Sequence, residues 1–545
     1  MRMKILLRYI LAIVTWAILG ACPAKVSALS VSHYTENSVL SSGRWVKISV
    51  DETGIYSMSN SVLASWGFSN PSAVKIFGYG GAPVSTLLDG AQIDDLPQVP
   101  VLRRSNGILF YAQGPITWKE STVSGFEYKQ YQHPYATAGY YFVTDRSDIE
   151  VAALVAEAAT VRDGEVVTTF TDRVFHESEL VSPGETGNYL LGEDFRYTTT
   201  QTFSFDLAGI VPGSTVKVLT GFGAALAGSR GKLSYRYNGN LLNSTTSDNI
   251  STISSKYSHV NTSTSLKQFT LDSENLDYSI TFNCSGSVSV ARLDYITINY
   301  TRSLDMGDVS QLQFRSPSDG VASAVYELSN CPADMHLWDV TTAHSPVEVE
   351  CEPSGSTVRF SPSANGAREY VAFREDGSYP SPTYVGEVAN QNIHAEPVPD
   401  MLIITPNEFA DAARRIADLH EEIDSMRVLV VDHALIFNEF SSGTPDIMGY
   451  RKLAKMFYDR GTSDDGHKLG YILLMGRSLY DNRGITAAAQ GLDYPRVLMW
   501  ETDNGHEELS SYSTDDIVAT LADGSSASNM HTYGLDVSIG RMPVK

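Results

Sequence analysis

The sequence predicts a multidomain protein: a series of all-β domains, β-sandwich-like, followed by the front part of an α/β domain with a parallel sheet. Two observations carry this. Upstream of about residue 395 the chain is a succession of short alternating runs broken by Gly, Ser, Thr and Asn, the grammar of antiparallel sheets. Downstream, four short continuous apolar runs, Met401–Thr405, Val428–Val431, Tyr471–Met475 and Leu535–Arg541, are spaced by helix-like segments. Continuous β-rich runs alternating with helices mark strands buried on both faces.

At 545 residues the chain exceeds one ordinary domain. Its 42% hydrophobic share suits packed domains, and 29 Tyr against 6 Trp with 42 Gly suits sheets and turns. A formal charge of −23 repels phosphate backbones, so nucleic acid is not an expected partner.

Taken in order, residues 1–28 read as a signal peptide. Arg2, Lys4 and Arg8 precede an apolar run from Tyr9 to Gly20 that is too short to span a bilayer. Val26-Ser27-Ala28 suits cleavage before Leu29. Leu19-Gly20-Ala21-Cys22 also resembles a lipoprotein box, with Pro23 atypical after the Cys; ordinary cleavage is favoured. Export follows either way.

Residues 29–146 form an N-terminal β domain, with strands expected at Trp45–Val50, Val74–Phe77, Leu109–Ala112 and Tyr140–Val143 and a short helix from Asn60 to Trp66. Residues 147–303 read as a β-sandwich, clearest at Val216–Leu219, Leu233–Tyr237 and Leu293–Tyr300. Asn243-Ser244-Thr245 is read as polar loop. Residues 304–395 are a small β unit and linker, the linker drawn from Ser378 to Pro399 by Pro380, Pro382, Pro397 and Pro399. Residues 396–545 are the α/β segment. There Asn407 is expected to cap a helix with the stripe Phe409, Ala413, Ile416, Leu419 and Ile423. Thr444 is expected to cap the next, with Pro445 at its first position and Gly461 past its end. Ligands of such sheets sit beyond the carboxyl ends of the strands, which points to the loops after Thr405, Val431, Met475 and Arg541.

Reactive residues are sparse. Of four Cys, Cys331 and Cys351 are spaced for a disulfide or are two separate buried thiols; Cys284 stands apart. No Cys-x-x-Cys or His-x-x-x-His pair occurs, so no metal site and no cofactor is indicated. Asp515 and Asp516 are read first as caps of a short helix, and otherwise as binding a cation or fixing the loop that faces the active site. His420 and His433 are read as surface residues, His433 in a loop after its strand. His336 beside Trp338 is read as sheet packing, and His506 as a solvated loop residue.

The motifs DMLIIT (400–405), SSGTPD (441–446), YILLMG (471–476), STDD (513–516) and LDVSIGRMPVK (535–545) resemble the gingipain-type cysteine peptidases. VKISVDETGIY (46–56), KIFGYGG (75–81), LFYAQGP (109–115) and LDYITINYTR (293–302) narrow the resemblance to the sortase of the type IX secretion system. The resemblance covers nearly the whole mature chain. It implies a caspase-like α/β fold and a Cys–His dyad whose thiolate forms a thioester acyl-enzyme. It implies removal of C-terminal signals from secreted cargo and transfer to anionic lipopolysaccharide or water. It also implies a PorV-like outer-membrane partner and a cell-surface location. The family's His and Cys lie beyond the segment matching IGRMPVK, so no catalytic residue is assigned in this chain. The expectation is a truncated, inactive form. Arg477 stands where the family usually has Asp. The alternative is a non-catalytic, outer-membrane-associated binding protein built on the β domains. A structural surface protein without catalytic ancestry is disfavoured by the ordered α/β motifs.

Overall fold

The computed structural model describes residues 29–242, 248–461 and 466–544. The signal peptide with Cys22, and Asn243-Ser244-Thr245, lie outside them.

The N-terminal β domain pairs its strands in the order Thr383–Val388, Trp45–Val50, Gly139–Thr144, Lys75–Phe77, Gln98–Val99. A second sheet of Gly54–Ser59, Gly107–Ala112 and Leu102–Arg104 closes over it. Val46, Ile48, Ile76, Phe110, Tyr141 and Val143 form the core between them. The expected short helix spans Asn60–Ser65 and is capped by Ser59, whose hydroxyl accepts the Val62 N–H. The expected linker is partly strand: Thr383–Val388 adds an edge to this sheet. Its flanking prolines read as linker because an edge strand uses only one side of its backbone and tolerates them.

The β-sandwich is present. Thr169–His176, Ser287–Ser303, Ser214–Ala227 and Asn261–Leu271 form one sheet. Thr200–Asp206, Asn275–Asn283, Gly231–Tyr237 and Asn240–Leu241 form the other. Inward residues Phe222, Tyr235, Tyr278, Ile280, Phe282 and Ile298 fill the space between, and the alternation that places them is the period of two. The short strands Val155–Ala158 and Val166–Val167, expected with the sandwich, pair instead in parallel with Val347–Glu350 and Val325–Tyr326 of the small β unit. Val155–Ala158 is exposed throughout, so no hydrophobic pattern announces it.

In the α/β unit, β1 (Met401–Thr405), β2 (Val428–Asp432), β3 (Tyr471–Met475) and β4 (Ser538–Met542) are all parallel, in the order β2-β1-β3-β4. Met401 and Ile403 face α1 (Ala410–Ile423). Leu402, Ile404, Ile472 and Leu474 face α2 (His433–Phe440) and α3 (Ile447–Arg460). β1 is therefore buried along its whole length, as its continuous run implies, whereas β4 at the edge exposes alternate residues.

Several local expectations change. Asn407 lies in a 3-10 turn, Asn407–Phe409, and caps nothing. α1 buries only Ala413 and Ala417 fully, while Leu419 and Ile423 are 52% and 68% exposed. Small residues let the first half of α1 approach the sheet, and its second half runs past it. α2 occupies what was read as loop; Asp432 caps it by accepting the Ala434 N–H and starts its first turn at His433. The cap of α3 is Asp446, not Thr444; Gly461 ends it as expected. β4 starts three residues late. Asp536 accepts the Leu521 and Ala522 N–H groups, which holds the first residues of that run off the sheet and leaves Leu535 exposed.

Candidate active-site rim

In the order β2-β1-β3-β4 β2 is added on one side of β1 and β3 and β4 on the other, so the strand order switches between β1 and β3, and the crevice beyond their carboxyl ends is where such a sheet binds ligands. Thr405 Oγ1 donates to the Met475 carbonyl at 3.0 Å, tying the two ends together. Gly476 follows at φ 152°, and a Cβ there would lie 2.6 Å from Val497 Cγ2, so only glycine lets the loop 496–499 close over this end.

Arg541 gathers the rim. It forms a forked pair with Asp515, Nε to Oδ2 at 2.8 Å and Nη2 to Oδ1 at 2.6 Å. It also donates to the Gly476 and Val497 carbonyls at 3.2 Å and to Leu498 at 2.8 Å. One guanidinium thus joins β4, the loop after β3 and the STDD loop. Asp515 was expected to cap the short helix α4 (Asp516–Ala519), but it makes no cap bond; its carboxylate is spent on Arg541. Arg477 lies with its guanidinium over Tyr494, 5.6 Å from the ring centre.

Beneath these loops Glu501 is 3% exposed. It accepts from Ser513 Oγ at 3.2 Å and Asn482 Nδ2 at 3.3 Å. Burial pushes its carboxyl up to about 8 against the Ser513 hydrogen bond, with help from the nearby Asp481 charge. Asp481 accepts the Gly484 and Thr486 N–H groups and so shapes the loop after β3.

Among the described residues no thiol and imidazole form a reacting pair. His433 lies at the carboxyl end of β2, its Nδ1 3.1 Å from the Tyr450 hydroxyl, and burial lowers its imidazole. It is therefore half-buried against Tyr450 and Phe437 rather than a free surface side chain. His420 pairs with Asp424 on exposed helix surface. His506 is half-buried rather than fully solvated: its loop docks on the sandwich, with Tyr189 at its ring edge and the Glu508 N–H on the Tyr257 carbonyl. Burial lowers its imidazole. His336 stacks on Phe373 and bonds Glu348. Cys284, Cys331 and Cys351 are free thiols in the β units. Burial raises Cys331 to about 11 and Cys351 to about 12. None neighbours an imidazole in any observed contact. Among the described residues no three His, Cys, Asp or Glu side chains converge as metal ligands.

What sequence reading missed is the bracket behind the rim. SSGTPD and KIFGYGG, more than 300 residues apart, are partners. Ser442 Oγ accepts the Tyr79 and Gly80 N–H groups at 2.9 and 3.2 Å and donates to the Tyr140 carbonyl at 2.9 Å. Thr444 Oγ1 donates to the Gly80 carbonyl, and Asp446 Oδ2 accepts the Val84 N–H. At Gly78 a Cβ would lie 2.5 Å from Ser442 Oγ. Two buried lysines complete the grip: Lys47 donates to the Gly443 carbonyl at 2.7 Å and Lys452 to Phe440 at 2.6 Å. Burial lowers both ammonium groups to about 8. Beside them, burial pulls His394 down, but hydrogen bonds with Asp94 and Glu439 outweigh it and raise the imidazole to about 9. Glu439 also takes the Ile393 and His394 N–H groups, so the end of the expected linker is locked to α2. The signal, in retrospect, was two glycine- and hydroxyl-rich motifs without any partner of their own.

Residues 394–545 match Peptidase family C25. That segment is a gingipain-type cysteine-peptidase domain. Dimeric latent PorU from Porphyromonas gingivalis superimposes with a TM-score of 0.84 at 28% identity, over 94% of this chain and 49% of that one. The chain therefore spans about half the length of the PorU structure it matches. Two further solved structures align weakly. The sugar-binding EclA C-terminal domain does so over 29% of this chain and 83% of its own, at 10% identity and a TM-score of 0.12. A Bacteroides plebeius β-porphyranase does so over 48% and 35%, at 11% identity and 0.16. No sequence among curated proteins matches.

Proposed function

We propose that this chain is the scaffold and first part of the peptidase domain of a PorU-like type IX secretion sortase. In this reading the full enzyme is an exported cysteine endopeptidase and transpeptidase at the cell surface. It removes the C-terminal signals of secreted cargo and passes the acyl group to anionic lipopolysaccharide. A PorV-like protein holds it at the outer membrane. The 545 residues contribute the strand ends, the Arg541-centred rim and the β bracket behind it. The Cys and His belong to the part of the architecture that the match does not reach.

The supporting observation is continuity: the likeness to PorU runs through the β domains and the peptidase segment together, over 94% of the chain. No helix among the described residues is long and apolar enough to cross a membrane. The test is to join the chain to the remainder of a C25 domain carrying the family's Cys and His, and to offer a cargo protein with its C-terminal signal. Signal removal that is lost when that Cys becomes Ala supports the reading. A joined protein that folds yet leaves the cargo intact overturns it. The binding-protein alternative draws on one observation, the lack of a thiol beside an imidazole among the described residues, and predicts cargo or partner binding that the joined half does not alter.

A further inference from the structure

Between Val181 and Leu191 the chain leaves the sandwich and returns to it. The two ends bond each other: the Val181 N–H donates to the Leu191 carbonyl at 3.1 Å and the Leu191 N–H to the Val181 carbonyl at 2.8 Å. Residues 182–190 thus form a strap hinged at its base. The strap lies on the 501–511 loop of the peptidase segment. Asn188 donates its N–H to the Thr502 carbonyl at 3.1 Å and its Nδ2 to Asp503 at 3.0 Å, and the Thr186 and Ser511 hydroxyls bond at 3.0 Å. The two backbones touch: a Cβ on Gly505 would lie 2.2 Å from the Thr186 carbonyl oxygen, and one on Gly187 2.8 Å from that of Thr502. These holds are polar, and from Ser182 to Asn188 Pro183 is the one apolar side chain. A contact of this kind opens locally at far less cost than the core unfolds.

Two buried carboxyl groups meet the strap. Glu501, on the peptidase side, accepts the Gly187 N–H. Asp294, in the sandwich strand Ser287–Ser303, accepts from Tyr189 Oη at 3.3 Å. Burial pushes Glu501 up to about 8, and the Asp481 charge adds to it. Burial likewise pushes Asp294 up to about 7; Glu177 and Glu179 add to this, and Lys129 and the Tyr189 hydroxyl oppose it. The nearby cations are engaged elsewhere: Arg483 pairs with Glu179 at 2.5 Å, and Lys129 lies 3.6 Å from the Tyr295 ring centre. Besides Asp481, Glu501 faces Tyr480 and Tyr135, and Glu185 of the strap acts on Tyr480. Two imidazoles stand at the junction, His506 beside Tyr189 and His259 against Gly184. Burial lowers that of His506, so it brings no positive charge at neutral pH or above. Ionising either carboxyl therefore favours exposing it to water.

We propose that the strap is a pH-operated latch on the rim loops, shut while Glu501 and Asp294 are neutral and lifted from the 501–511 loop when they ionise. The latch needs only the contact between the two units and holds whether or not the proposed activity does. A carboxyl that titrates near 8 under the strap and near 4.5 in water favours the shut form about 90 times more at pH 6 than at pH 9. Asp294 acts in the same direction. The experiment is hydrogen exchange read by mass spectrometry on the whole 545-residue protein at pH 6 and pH 9, corrected for the intrinsic exchange rate. Protection of the peptide carrying the Asn188 amide should fall at least about tenfold from pH 6 to pH 9, while the core strand Ser214–Ala227 keeps its own within about threefold. The double variant Glu501→Gln, Asp294→Asn should hold its strap protection within about threefold, and each single variant should fall by less than wild type. Equal strap protection in wild type at the two pH values overturns the proposal. So does a fall shared by the core strand, or a double variant that loosens as wild type does.

Discussion

Glu501→Gln should stabilise the protein at alkaline pH and leave it unchanged in mild acid. Glu501 sits beneath the rim loops, 3% exposed, with Asp481 nearby, and its carboxyl is pushed from 4.5 up to about 8. A folded-state value above the unfolded one means that the neutral form is the one the fold prefers. Its contribution is fully present below pH 4.5 and lost as pH rises through 8. At 1.36 kcal/mol for each pH unit between those values, the loss has a ceiling of about 5 kcal/mol, and relaxation of the loops would bring it to about 2–3 kcal/mol. Gln keeps the shape, accepts from Asn482 through its one carbonyl oxygen, turns its amide N–H toward the Ser513 hydroxyl, which can accept, and never ionises. Urea unfolding followed by Trp500 fluorescence reports on this region directly, because Trp500 adjoins Glu501 in the short strand Trp500–Glu501. The variant should exceed wild type by about 2–3 kcal/mol at pH 8.5 and match it within about 0.7 kcal/mol at pH 5. Equal stability at pH 8.5, or a variant weaker at both values, would refute the assignment of a strained neutral carboxyl.

Three further outcomes are expected. Ser442→Ala removes one hydroxyl that serves three backbone groups of the bracket; the cost should be about 3 kcal/mol, read as a lowered urea midpoint, and a change under about 0.5 kcal/mol would show that SSGTPD is not gripped there. With their thiols raised to about 11 and 12, Cys331 and Cys351 should resist a disulfide reagent at pH 8 in the native protein and react on unfolding; rapid native labelling at either half-buried position contradicts the raised thiols. Edman sequencing of protein recovered from export should begin at Leu29, and a lipid-modified Cys22 would overturn cleavage there.

The parallel sheet was legible because a strand buried on both faces must be a continuous apolar run, and Met401–Thr405 is such a segment. The sandwich was legible from alternation in strands such as Asn275–Asn283. Three kinds of feature were not. Short edge strands, Val155–Ala158 and Thr383–Val388, bury little and carry no pattern. Caps are chosen by competition: Thr444 had the right side chain, but Gly80 took its hydroxyl and left Asp446 as the cap. Long-range polar contacts leave no local trace, so the Ser442 bracket and the Arg541–Asp515 fork came only with the fold.

The most direct test asks whether these 545 residues react at all. Purified chain is incubated with a fluorogenic peptide substrate and with a thiol-reactive peptidyl probe, alongside Cys284→Ala, Cys331→Ala and Cys351→Ala. The account predicts no turnover and no native labelling by the probe, because among the described residues no thiol is paired with a base at the rim. Turnover that disappears in any one of the three variants would contradict it.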